Sequence, residues 1–303
     1  MPRVRANGID IAYESFGRES DPAIVLIHGM NTPLTGWPDS LCDGLVQRGL
    51  RVVRFDNRDI GRSTFFPELG VPDISALMAV LKAGGRPIAP YGLEAMADDV
   101  AGLLDALGIE RAHLVGASMG GMIAQIVALD HPGKVRSLVS IMSTTGRPGL
   151  PAASPGAMRT LVKTPASGSR ADRLETAVAA TQAISGSGFP QTEVELAAYL
   201  GRSIDYTPFD PAAAARQSAA VIAAAPRDDR LARLILPALV IHGDDDPIMP
   251  PAHGEDTARV IPGAKLLIVP GMGHDFKEAL MPIWTRAIGD FAVAVERESV
   301  GGA

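Results

Sequence analysis

One cysteine among 303 residues, Cys42, leaves the chain no internal disulfide. It sits in a segment that reads as helix, residues 38–47, with no histidine nearby in sequence. A buried structural thiol is therefore expected rather than a nucleophile. Basic clusters are also missing. Lys and Arg number 28 against 34 Asp and Glu, a formal net charge of −6, and no Lys/Arg run exceeds a residue or two. That balance argues against a phosphate backbone or an anionic membrane as partner and leaves small molecules. No apolar run reaches the roughly 20 residues of a membrane span, and the first residues lack the apolar core of a signal peptide. A cytoplasmic protein is expected. Internal repeats are absent as well.

What the chain does have is apolar content, 47% against 20% charged, which suits a parallel sheet covered on both faces. Two alternating runs, Arg3–Ala6 and Ile9–Phe16, flank Asn7-Gly8, a two-residue hairpin signal. Four short continuous apolar runs follow, at residues 23–27, 51–55, 112–115 and 135–141, as central parallel strands require. Helical patterns separate them. In residues 93–107, Met96, Val100, Leu103, Leu104 and Leu107 keep the 3.6-residue period, and Gly108 supplies the stop. Strand and helix in alternation predict a doubly wound, mostly parallel α/β sheet with right-handed crossovers.

The rhythm breaks after residue 146. Residues 147–226 are rich in Pro, Gly, Ser and Ala, hold no strand pattern, and carry helical patterns at 170–184, 192–202 and 210–225. Leu174, Val178, Ile184, Leu196, Tyr199 and Leu200 recur at helical spacing, so this stretch is expected to pack as an inserted helical cap rather than remain a disordered linker. The core domain is then residues 1–146 and 227–303. In its second part strands at 238–242 and 265–269, a helix near 251–260 and a final helix from about 276 to 295 resume the α/β pattern.

Gly116-Ala117-Ser118-Met119-Gly120 fits G-x-S-x-G, the strand-to-helix turn that lifts a serine above the strand ends. By chance this composition would yield the pattern about 0.2 times, so context decides its meaning. The context is present: a strand pattern leads into it and a helix pattern leaves it, which brings backbone N–H groups and the positive end of the helix dipole to the serine. A hydroxyl needs a base within reach. Of the six histidines, His274 stands in a glycine-flanked loop, Gly271-Met272-Gly273-His274-Asp275, after the last strand. It also satisfies the chain order serine, acid, histidine. The orienting acid is expected after the preceding strand, where Asp244, Asp245 and Asp246 stand together. Asp246 is preferred because the following prolines suggest a rigid loop presenting its side chain; Asp244 is the alternative.

Acyl transfer develops charge on a carbonyl oxygen, which preorganised N–H donors stabilise. The backbone N–H groups of Met119 and Met30 are the expected pair, the latter in the loop His28-Gly29-Met30-Asn31. Gly29, Asn31, Trp37, Phe189, Tyr206 and Met272 are candidate pocket residues, suggesting an apolar acyl or alcohol site. For the charged loop at 56–63, Arg58 is expected to pair with Asp56 or Asp59 and support the oxyanion loop.

At these residues the sequence resembles the α/β-hydrolase superfamily along nearly its whole length, the cap being the least diagnostic part. His28-Gly29-Met30-Asn31 with Asp56-Asn57-Arg58-Asp59 looks like the serine carboxylesterase branch that includes aclacinomycin methylesterase. The resemblance implies hydrolysis of a small or medium-sized, largely apolar carboxylic ester without metal or cofactor. The same three side chains would also serve acyl transfer, lactone or C–C hydrolysis, or perhydrolysis. A silent receptor of the same fold is the remaining alternative, and the oligomeric state is not legible.

Overall fold

In a computed structural model, residues 1–161 and 163–301 are described. Eight strands form one sheet: β1 (Arg3–Ala6), β2 (Ile9–Phe16), β3 (Ala23–Ile27), β4 (Arg51–Phe55), β5 (Ala112–Ala117), β6 (Val135–Ile141), β7 (Ala238–Gly243) and β8 (Lys265–Val269). Their order across the sheet is β1-β2-β4-β3-β5-β6-β7-β8. The first two are antiparallel, turned by Asn7 and Gly8, both at positive φ. From β4 to β8 all pairs are parallel. The strands β3 to β7 are buried at nearly every position, which is why their sequences are continuous apolar runs rather than alternating ones.

The helices are α1 (Asp39–Val46), α2 (Ile74–Lys82), α3 (Leu93–Ala106), α4 (Met119–Asp130), α5 (Pro155–Leu161), α6 (Arg170–Ile184), α7 (Glu193–Tyr206), α8 (Pro211–Ala223), α9 (Asp228–Leu231), α10 (Ala252–Val260) and α11 (Met281–Gly301). The sheet has an apolar layer on each face. One holds Met96, Val100, Leu103 and Leu104 of α3 with Ile123 and Val127 of α4. The other holds Leu41, Cys42 and Leu45 of α1 with Trp284 and Ile288 of α11. Cys42 is buried there, as its sequence setting suggests. The closing helix begins later than expected, because residues 278–280 form a 3-10 turn first. Helix α2 has no buried residue although Ile74, Leu77, Met78 and Leu81 fall at helical spacing, and the sequence reading passed over it.

Helices α5 to α9 lie between β6 and β7. Helix α7 opens with a reciprocal capping box, Thr192 and Glu195, and Asp210 caps α8 through the N–H groups of Ala212 and Ala213. Helix α8 is fastened to the core by a fully buried ion pair: Arg216 donates to Asp59 Oδ2 at 2.8 Å and Oδ1 at 2.7 Å. Tyr91 Oη also donates to Asp59, at 2.8 Å. Removing one partner leaves a charge buried without its counterion, and Arg216→Met is expected to cost about 3–5 kcal/mol in urea unfolding. Adding Asp59→Asn removes the stranded charge, so the double variant should recover part of that loss; a double variant weaker than the single one would contradict it. Among the described residues no helix is long and apolar enough to cross a membrane.

Candidate active site

Loops that leave the carboxyl ends of β3, β4, β5, β6, β7 and β8 converge at one edge of the sheet, where open α/β sheets place their ligands. Ser118 stands between β5 and α4 with φ 54 and ψ −120, a left-handed conformation that costs a non-glycine residue energy and must be held by its surroundings. The two flanking glycines explain how the turn closes. A Cβ on Gly116 would overlap the Gly120 carbonyl, and one on Gly120 would overlap the Ile27 carbonyl. Ser118 N donates to Ile141 O at 2.9 Å, and Ser143 Oγ donates to Ser118 O at 2.8 Å. Strand β6 therefore holds the turn from the side.

His274 and Asp246 reach this serine across 156 and 128 residues of sequence. Ser118 Oγ lies 2.9 Å from His274 Nε2, and His274 Nδ1 lies 2.7 Å from Asp246 Oδ2. The other Asp246 oxygen accepts the N–H groups of Ile248 and Met249, both at 2.8 Å. Burial works to raise the Asp246 carboxyl. The charge of His274, its hydrogen bond, the Met249 N–H and His242 outweigh burial and hold the carboxyl below its usual range. The neighbouring acids do other work. Asp244 Oδ1 accepts Gly271 N at 2.6 Å, and Asp245 Oδ2 accepts Ser187 N at 2.6 Å.

The loop after β3 runs beneath the serine: a Cβ built on Gly29 would lie 3.3 Å from Ser118 Cβ and 3.8 Å from its Oγ. Gly29 N donates to His28 Nδ1 at 2.7 Å. Burial pushes the His28 imidazole down to about 3, which keeps that nitrogen a neutral acceptor. The imidazole stacks on Phe276 and meets the edge of Trp37. Asn31, at φ 57, donates its N–H to Gln217 Oε1 at 2.8 Å. Neither Met30 N–H nor Met119 N–H donates to an acceptor among the described residues. Met119 opens α4, so its N–H has no partner within the helix.

Several expectations need correction. Arg58 pairs with neither Asp56 nor Asp59; it makes a two-pronged contact with Asp99 of α3, at 2.7 Å to each oxygen. Asp56 instead accepts Leu34 N at 2.7 Å and Arg62 N at 2.8 Å, and Asp59 is taken by Arg216. Support for the loop after β3 comes from Asn57, whose Nδ2 donates to His28 O at 3.1 Å. Trp37 and Met272, expected to line the pocket, are fully buried in the α1–α11 layer and present no surface to it. Their size and apolarity suit a core equally well, which is why sequence cannot separate the two roles. Tyr206 lines a polar surface cleft with Arg3, Asp10 and Arg62, and its hydroxyl donates to Asp56 Oδ2 at 2.8 Å. It ties α7 to the core. Phe189, half-buried at φ 56, packs against the layer containing Met272.

Residues that sequence reading passed over come from the insertion and its contacts. The α6–α7 loop presses on the loop that carries His274. His274 N donates to Ile184 O at 2.8 Å, and Gly188 N donates to Gly271 O at 2.9 Å. Ser185 Oγ donates to Asp275 Oδ2 at 2.6 Å, while Lys277 Nζ donates to Gly186 O and Gly188 O, each at 3.1 Å. A Cβ on Gly186 or Gly273 would collide with the facing backbone, so glycine is needed on both sides of this contact. Gln217 of α8 reaches Asn31 and Arg58 in the loops after β3 and β4, and Arg216 reaches Asp59 in the latter. None of these residues lies in a motif, and each partner is distant in the chain.

Residues 22–278 match the family model described as the alpha/beta hydrolase fold. The chain is similar to rhodomycin D methylesterase from Streptomyces sp. strain C5, 30% identical over 292 residues, covering 86% of this chain and 87% of that protein. It is 28% identical over 293 residues to a putative carbamate hydrolase from Variovorax paradoxus strain S110, covering 95% and 98%. Among solved structures, a meta-cleavage product hydrolase from Pseudomonas fluorescens IP01 superposes with a TM-score of 0.74 at 21% identity over 97% of this chain and 98% of that one, a likeness of fold.

Proposed function

Because the chain belongs to the alpha/beta hydrolase fold family, we propose that it is a serine carboxylesterase acting through an acyl-enzyme on Ser118. The observation that carries this reading is the unbroken relay of Ser118 Oγ, His274 and Asp246, with contacts of 2.9 and 2.7 Å. Ser118 Oγ attacks the ester carbon while its proton passes to His274 Nε2. The carbonyl oxygen gains charge facing the Met30 and Met119 N–H groups. Collapse breaks the bond to the alcohol, which leaves with the proton from His274. Water then attacks the acyl carbon with His274 again as base, and the acid departs.

Asp246 keeps the imidazole proton on Nδ1, so that Nε2 is free to accept. The insertion, residues 147–226, serves in this reading as a cap above a core of residues 1–146 and 227–303. A largely apolar ester suits the side chains beside the relay: Ala157, Ile184, Ile248 and Met249 form one apolar cluster there. Three buried cations already have acidic partners, Arg58 with Asp99, Arg216 with Asp59 and Lys277 with Asp275, and Arg227 spends its N–H groups on Gln125 Oε1 and the carbonyls of Thr144 and Ala225. That favours a neutral acyl group over one bearing a carboxylate.

An ester-selective phosphonate tests the reading. It should attach to Ser118, located by peptide mass analysis, and a panel of methyl and p-nitrophenyl esters of rising acyl length should be hydrolysed in competition with it. Attachment at another residue, or none in a folded protein, would overturn the assignment. Product analysis in the presence of an alcohol or peroxide separates hydrolysis from acyl transfer and perhydrolysis, and lactone and C–C substrates complete the panel.

A further inference from the structure

The loop that passes under Ser118 has three consecutive N–H groups, and two of them are already engaged. Gly29 N–H is held by His28 Nδ1, and Asn31 N–H by Gln217 Oε1. Gln217 is fully buried on α8, and its Nε2 donates to Arg58 O at 2.7 Å. One side chain from the insertion thus bridges the loop after β3 to the loop after β4. It also uses both ends of its amide, which fixes the amide's orientation. The backbone that it holds is the left-handed Asn31, a conformation that relaxes unless something maintains it.

We propose that Gln217 is a positioning residue for the oxyanion hole: by holding the Asn31 N–H it fixes the loop so that, of its three N–H groups, the Met30 N–H alone remains unpaired and faces the oxygen of the acyl carbon bonded to Ser118. The proposal rests on the reading of Ser118 as nucleophile. Its consequence is that the insertion is part of the catalytic apparatus as well as its cover. Helix α8 is anchored by the Arg216–Asp59 pair one residue away, so seating of α8 and alignment of the oxyanion donor occur together.

Gln217→Met keeps the volume and removes both hydrogen bonds. Complete loss of one oxyanion donor costs about 10²–10³ in kcat, and a donor displaced but present should cost less. The expected result is a fall of about 10- to 100-fold in kcat on p-nitrophenyl butyrate with KM within about twofold. Affinity for an alkylboronic acid should fall in parallel. Its boron bonds to Ser118 Oγ, the serine proton passes to His274, and a boron hydroxyl occupies the oxyanion position. Amide hydrogen exchange at Asn31 should accelerate in the variant. Gln217→Glu, which keeps an acceptor oxygen for that N–H, should retain more protection than Gln217→Met and serves as the second variant should the first not fold. Arg170→Ala, which breaks the exposed Arg170–Asp205 pair on the insertion, is the control and should leave kcat within about twofold.

Unchanged Asn31 exchange, or a Gln217→Met loss carried by KM with boronate affinity intact, would overturn the proposal. A wild-type protein whose Ser118 takes neither boronate nor phosphonate would instead bring down the nucleophile assignment on which it stands, whatever Asn31 does.

Discussion

Ser118→Ala, His274→Ala and the double variant should each lose about 10⁶ in kcat on p-nitrophenyl butyrate, with the double no worse than either single. The reason lies in the 2.9 Å contact between Oγ and Nε2. An alcohol at neutral pH is a poor nucleophile until its proton has somewhere to go, and an imidazole without a hydroxyl has nothing to activate. Either deletion therefore abolishes the same step, and the second removes nothing further. What survives should be the modest acceleration supplied by the oxyanion donors and by binding. Folding should be untouched, because an alanine in place of Ser118 keeps the backbone contacts to Ile141 and Ser143. Multiplying losses in the double variant would show that the two residues act in separate steps, and a Ser118→Ala enzyme at wild-type rate would refute the mechanism outright.

Asp246→Asn should lower kcat by about 10⁴ at neutral pH, although it changes a single atom. The surroundings dictate how the new amide turns. Ile248 N–H and Met249 N–H both point at Asp246 Oδ1, so the oxygen of the substituted amide must stay at that position. Its NH₂ group then faces His274 Nδ1 and donates to it, forcing the imidazole proton onto Nε2. That nitrogen would donate to Ser118 Oγ instead of accepting from it, and the serine would lose its base. Asp244→Asn is expected to lose far less, since Asp244 holds the Gly271 N–H and not the imidazole. Steady-state kinetics on the two variants decide the matter; an Asp246→Asn enzyme within about tenfold of wild type would remove Asp246 from its orienting role.

Much of this site was legible in the chain before any coordinates. The glycines around Ser118 announce a turn that tolerates no Cβ, and the loops bearing Asp246 and His274 follow apolar runs that form β7 and the edge strand β8. Local rules carried that far because each signal is confined to a few residues. They carried the pocket less well: Trp37 and Met272 are large and apolar, and burial in a core leaves the same mark as burial against a ligand. Tyr206 offered a ring suited to a pocket wall, while its phenol settled on Asp56. Arg58 found its carboxylate on α3, 41 residues away, although two acids stood beside it in sequence. A bidentate partner of the right geometry outcompetes a nearer one that the backbone turns aside.

The sequence by itself determined the eight strands along the chain, the helices other than α2, α5 and α9, the hairpin at Asn7-Gly8, the serine turn and the loop position of His274. These follow from periodicity, from glycine at turns and from the apolar demand of a sheet covered on both faces. Only the tertiary structure decided how the insertion serves the site. Gln217 meets Asn31 across 186 residues, and Ser185 meets Asp275 across 90. Such pairings depend on where two rigid elements come to rest once both apolar layers have closed, and no local pattern of residues encodes that distance.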